Sequence, residues 1–156
     1  MRADEHYSAG ELVSLKCFEF VDYGGAHPSR GIHTRNYDGS AGGKLELAEL
    51  FGFSETVYRY LKEYCEIDVN RQLLPLRGSD RKYSLEHYAD QEHGNSWELF
   101  SQWNFSESGL SIALSEFSGL PYVMGVFEVL IPWQFFRDQL SDHYNDTAIG
   151  RLIIQG

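Results

Sequence analysis

The stretch FEFVDYGGAHPSRGIHTRNYD, Phe18–Asp38, decides the fold. Apolar and polar side chains come close to alternating from Leu12 to Val21, in a mixture of β-branched, aromatic and charged residues that reads as a strand. Gly24, Gly25 and Pro28 break it, and Gly31–Tyr37 reads as its return partner. A strand that doubles back on itself is antiparallel. His27 sits in the reversal, just before Pro28, and is therefore extended or polyproline-like. Its imidazole serves either to hydrogen-bond backbone groups that the turn leaves unpaired or to touch a ligand.

Outward from the hairpin, DGSAGGK (Asp38–Lys44) is a second turn with three glycines, and LELAELFG alternates briefly before stopping at Gly52. Ser54 is placed to cap a helix from Glu55 to about Leu74, which Pro75 ends. Leu61, Cys65, Val69 and Leu73 fall four apart on that helix, with Val57 one turn earlier, and form its core stripe. Ser84–Asp90 has room for a short helical turn. Trp97–Phe105 and Leu110–Phe117 read as strands joined by the tight turn SESG, in which Gly109 supplies an unusual φ. Val126–Ile131 is an apolar strand, and Pro132 suits the first turn of a helix over Trp133 to about Leu140. Strands, one long helix and further strands without βαβ alternation imply an α+β fold. It is expected to be a mainly antiparallel sheet with one long helix and a shorter C-terminal helix packed on it. The length of 156 residues fits a single domain, 1–156.

The net charge is −10, and its distribution is uneven: residues 1–83 carry −2, residues 84–146 carry −9, and Arg151 restores +1. A chain this acidic is no nucleic-acid binder, since phosphates demand Lys and Arg. The acidic segment is either a solvated face or a surface that steers a basic partner. No apolar run is long enough to span a bilayer, and MRADEHYSAG has no signal-peptide core. Cys17 and Cys65 are too few for a metal knuckle; they are two buried thiols or one disulfide. As buried thiols, Cys17 goes with Leu15 on the first strand and Cys65 with the helix stripe.

Motifs for catalysis are missing from the pattern. There is no G-x-S-x-G elbow, no cysteine beside a histidine, and GGKLEL lacks phosphate-loop spacing. His27 with His33, and His87 with His93, each give two ligands and no third at a metal-site spacing. No metal and no cofactor is expected. The apolar loop SGLPYVMG offers Tyr122 and Met124 as interface anchors, within the acidic segment that also holds Glu107 and Glu116.

The order of these motifs carries a resemblance. GGAHP after a strand is followed by a glycine turn, the segment Leu45, Leu47, Glu49, Leu50, Phe51, a helix, the hairpin WNFSESGLSIAL, a loop closing on Gly125, and VLIPWQFFRDQL. Over about residues 11–141 the chain resembles the RsiV-type bacterial domain of unknown function. That domain forms the extracytoplasmic part of some anti-sigma factors and lies beside some polysaccharide deacetylase domains. Tyr23 stands where many members have Thr, and the additional N-terminal region that many members carry is missing here. The resemblance implies a non-catalytic recognition module of the cell envelope, extracytoplasmic, for a lysozyme-like protein or a glycan. Its ligand contacts are then expected at Tyr122, Met124, Glu107, Glu116 and His27. A polysaccharide-acting hydrolase, or an accessory subunit of one, is the alternative from the other function class. A homodimerisation domain is the third reading.

Overall fold

The computed structural model describes residues 2–21, 24, 29–76, 82–85, 96–114 and 125–155. Strands β1 (Arg2–Ala9), β2 (Leu12–Val21), β3 (Ser29–Asp38) and β4 (Gly43–Lys44) form one antiparallel sheet in that order. The hairpin forms as its alternation requires, paired from Leu12↔Asp38 to Val21↔Ser29. The sequence reading does not contain β1. Its residues, RADEHYSA, include no β-branched side chain, and it becomes a strand by turning through Gly10 at φ 63° onto β2.

Three further elements differ from the expected ones. LELAELFG is not extended: Leu47–Leu50 is a helical turn, α1, that buries Leu47, Ala48 and Leu50. The Glu49 carboxylate accepts the Glu46 N–H at 2.9 Å and fixes the helical start. Then α2 (Glu55–Leu73) runs as expected, with the Ser54 hydroxyl accepting the Val57 N–H and with Val57, Leu61, Cys65, Val69 and Leu73 buried. Pro75 falls in a closing 3₁₀ turn, Leu74–Leu76. Ser96–Phe100 is a 3₁₀ turn and not the start of a strand. Trp97 and Phe100, three apart, both pack on Tyr58, with ring centroids 5.6 and 5.5 Å away.

The second antiparallel sheet holds β5 (Trp103–Ser106), β6 (Gly109–Leu114) and β7 (Phe127–Pro132). The helix expected over Trp133–Leu140 is one 3₁₀ turn, Trp133–Phe136, because Arg137 is extended and Asp138 takes φ 62°. The shorter C-terminal helix comes later. It is α4 (Ala148–Gln155), preceded by the single turn α3 (Asp142–Asn145), and it buries Ile149 and Ile153 in the core. The fold is α+β, and its sheets are antiparallel throughout the described residues. No helix among the described residues is long and apolar enough to cross a membrane.

A polar seam joins the two sheets. On β2 the buried side chains are Leu12, Ser14 and Lys16, while Val13, Leu15 and Cys17 on the other face are only half-buried. Cys17 is therefore not a core residue as expected. Cys65 is, and burial, followed by Asp68 and Glu66, pushes its thiol far up. Both thiols are free. Ser14 and Asn36 face the open edge of β5. The Ser14 hydroxyl donates to Asn36 Oδ1 (2.6 Å) and accepts the Phe105 N–H (3.0 Å), and Asn36 Nδ2 donates to the Trp103 carbonyl (2.8 Å). Side chains of one sheet thus occupy backbone groups that an edge strand would leave exposed.

At the end of β3, the buried Asp38 anchors the next turn. Its Oδ1 accepts the Ser40 hydroxyl and the N–H groups of Ser40 (2.8 Å) and Ala41 (3.2 Å). Burial pushes this carboxyl up, and those donors, with the His143 imidazole nearby, outweigh it and hold it below the usual value. A depressed carboxylate stabilises the fold above its unfolded value, about pH 4, and loses that contribution as pH falls through the folded value. Asp38→Asn should therefore cost about 1–2 kcal/mol at pH 7 and less at pH 2. Parallel denaturant titrations of both chains at the two pH values check this, and an equal difference at both refutes it.

Candidate functional site

One step along β2 and β3 from the Ser14–Asn36 pair, the sheets meet through charged and amide groups. Lys16 Nζ donates to Glu128 Oε1 at 3.0 Å, and Gln102 Oε1 accepts the Thr34 N–H at 3.0 Å. Lys16 is almost fully buried and Glu128 about a third exposed, so the ammonium is taken out of water and its charge is met by a carboxylate that stays wet. The Lys16 ammonium also lies 5.2 Å from the Phe18 ring centroid, within cation–π range. The Glu128 carbonyl accepts from Gln72 Nε2 at 2.9 Å, which ties the last turn of α2 to the same place.

Beyond this junction β2 and β3 run on past the second sheet. Phe18 and Phe20, two apart, stand on the Lys16 face, and Phe20 is 62% exposed. The reverse face carries an exposed pair, His33 Nε2 with Glu19 Oε2 at 2.9 Å. Both open ends of the hairpins point this way. Residues 22–28 connect β2 to β3 past the Val21↔Ser29 pair, and residues 115–124 leave and re-enter at the Leu114↔Phe127 pair, next to Glu128. Two connections from two sheets thus start from one end of the scaffold, the usual placement for recognition loops.

His27 lies in the first of these connections, and Glu116, Tyr122 and Met124 in the second; all four are outside the described residues. Glu107 is described. It is exposed in the β5–β6 turn, at the other end of β6, about 17 Å along the strand from Leu114. The described strands therefore end on the same side of the scaffold before four of the candidates, and Glu107 lies at the other end. Lys16, Phe18, Phe20 and Glu128 were missed. The signal for three of them was KCFEF, in which a lysine shares one face with two phenylalanines.

For acid–base chemistry the nearest arrangement is at Asp38. Its Oδ2 makes no hydrogen bond among the described residues, and His143 Nε2 lies 3.5 Å off, too far to donate one. The Ser40 hydroxyl donates to Asp38 and not to the imidazole, so the three do not form a nucleophile–base–acid chain. Burial, and then Asp38, push the Tyr144 phenol up to about 12, which keeps it a proton donor at neutral pH. Among the described residues no three His, Cys, Asp or Glu side chains converge on a metal position.

The sequence matches no protein-family model and no curated protein. Solved structures do resemble the fold. A DUF3298 family member from Bacteroides fragilis NCTC 9343 is similar over 97% of this chain and 55% of its own, at 18% identity and a TM-score of 0.61. A DUF3298 family protein from Pseudomonas aeruginosa PAO1 is similar over 90% of this chain and 60% of its own, at 18% identity and a TM-score of 0.57. The chain thus has the fold of a bacterial domain of unknown function, and spans little more than half the length of these two proteins.

Proposed function

We propose that the chain is a non-catalytic recognition module of RsiV type, working at the bacterial cell envelope on a basic protein of the lysozyme kind. The observation that carries this reading is the shared end of the two sheets, where the exits of residues 22–28 and 115–124 flank the exposed Phe20 and the Lys16–Glu128 pair. Exposed aromatic side chains beside a partly exposed carboxylate are the composition of an interface anchor for a basic protein. The −9 charge of residues 84–146 favours a basic protein over an anionic cell-wall glycan as ligand.

The test is surface plasmon resonance with the chain immobilised and hen-type lysozyme or a cell-wall digest passed over it at two salt concentrations. Lysozyme should bind in the micromolar range or tighter, with association slowing as salt rises. Phe20→Ser should weaken binding about tenfold through the off-rate while leaving the melting temperature in place. Absence of binding to lysozyme and digest alike would refute the reading, and digest binding alone would transfer it to the glycan.

A further inference from the structure

Helix α2 carries two apolar rows. Val57, Leu61, Cys65, Val69 and Leu73 are four apart and buried in the core. Tyr60, Tyr64, Ile67, Arg71 and, one residue past the helix, Leu74 fall in alternating steps of four and three, the spacing of a seam between two helices; Tyr60 and Tyr64 are half-buried against the core, and Ile67, Arg71 and Leu74 are exposed. Ile67 is 63% exposed and Leu74 67%. Phe135, from the turn after β7, widens the row at one end, with its ring centroid 6.4 Å from Tyr60 and 5.7 Å from Tyr64. The result is an apolar strip about 21 Å long on a rigid helix.

The row is self-complementary. Glu63 and Arg71 lie four residues on either side of Ile67, and Tyr60 and Leu74 lie seven on either side. We propose that α2 packs antiparallel on α2 of a second copy of this chain, about a two-fold axis at Ile67. Ile67 then meets Ile67 of the second copy, Leu74 enters the cleft between Tyr60 and Phe135 of the second copy, and Glu63 lies level with the other copy's Arg71. A two-fold axis makes every such contact twice, so one favourable charge pair becomes two. The Arg71 side chain is 76% exposed and pairs within its own helix with Asp68 through one nitrogen, leaving guanidinium donors for Glu63 of the second copy.

Sedimentation equilibrium of the full chain, 17.9 kDa as a monomer, tests it. The chain should dimerise with a Kd of about 1–100 µM. Ile67→Lys places two like charges on the axis and should abolish dimerisation with no change in melting temperature. Glu63→Arg and Arg71→Glu should each weaken it about tenfold, and the two together should restore it, melting curves confirming that each variant folds. A wild-type chain that stays monomeric to about 500 µM overturns the proposal. So does a dimer that survives Ile67→Lys, or a double charge exchange that restores nothing.

Discussion

Replacing Gly109 with alanine should cost the fold about 3 kcal/mol or more, a drop of roughly 6–12 °C in melting temperature for a chain of this length. Gly109 opens β6 at φ 151°, where it pairs with both Ser106 and Pro132. A Cβ there would stand 2.3 Å from the Ile131 carbonyl oxygen, 2.9 Å from its carbon and 3.0 Å from Pro132 Cα. All three atoms are backbone of the neighbouring strand, so relief requires β6 and β7 to separate. Trp133 cannot follow freely, because its indole N–H donates to the Ser106 carbonyl at 2.8 Å on the far side of the same turn. Gly42→Ala is the control: φ is 71° there, and nothing lies within 4 Å of the added methyl. It should cost only the backbone strain, about 1 kcal/mol. Equal losses at the two positions, measured by urea denaturation, would show that positive φ and not the β6–β7 approach is what Gly109 serves.

What the sequence made legible follows from how local each cause is. In α2, the Ser54 cap, each step of the four-residue row and Pro75 act on the turn next to them, and the helix ends within a residue of where they put it. In LELAELFG two periods coexist: Leu45 and Leu47 alternate, while Leu47, Leu50 and Phe51 share a helical face. The Glu46–Glu49 hydrogen bond, which is local, and the burial of that face, which depends on what lies above it, settle it together. In α4, Gly150 counts against a helix by propensity. Its reason is the tight turn from α3 into α4, where a Cβ would reach 2.0 Å from the carbonyl oxygen of Asn145, five residues earlier.

The error on Cys17 is of the same kind and bears on the site. Alternation divides β2 into two faces but does not say which one is covered. The face with Val13, Leu15 and Cys17 is the more apolar, and a hydrophobic core would have taken it. Ser14 and Lys16 are buried instead, because the element laid against them is the open edge of β5 together with Glu128, and unpaired backbone needs polar partners. The same choice of face turned Phe18 and Phe20 toward the shared end of the sheets. The recognition surface proposed there was legible in sequence only through the residues of the two connections. Their common origin came from the pairing of two sheets 100 residues apart in sequence.

Because the seam joins the two sheets, its loss should be felt well beyond one hydrogen bond. Asn36→Leu keeps the branched outline of a side chain in a residue that is 2% exposed but removes both of its polar functions. The Ser14 hydroxyl loses its acceptor, and the Trp103 carbonyl loses its donor, in a place that water does not reach. Each stranded group costs about 1–3 kcal/mol, so the variant should lose about 3–4 kcal/mol in all. Ser14→Ala alone strands Asn36 Oδ1 and the Phe105 N–H, and should cost about 2–3 kcal/mol. The two changes share the Ser14–Asn36 bond, so the double variant should be more stable than the sum by about 1 kcal/mol or more. Amide exchange gives a second, local reading: the Phe105 N–H should exchange as slowly as the β6 core in the wild-type chain and faster in Ser14→Ala. Strict additivity in the cycle, with Phe105 exchange unchanged, would mean that apolar packing alone joins the sheets and that the seam is only tolerated between them.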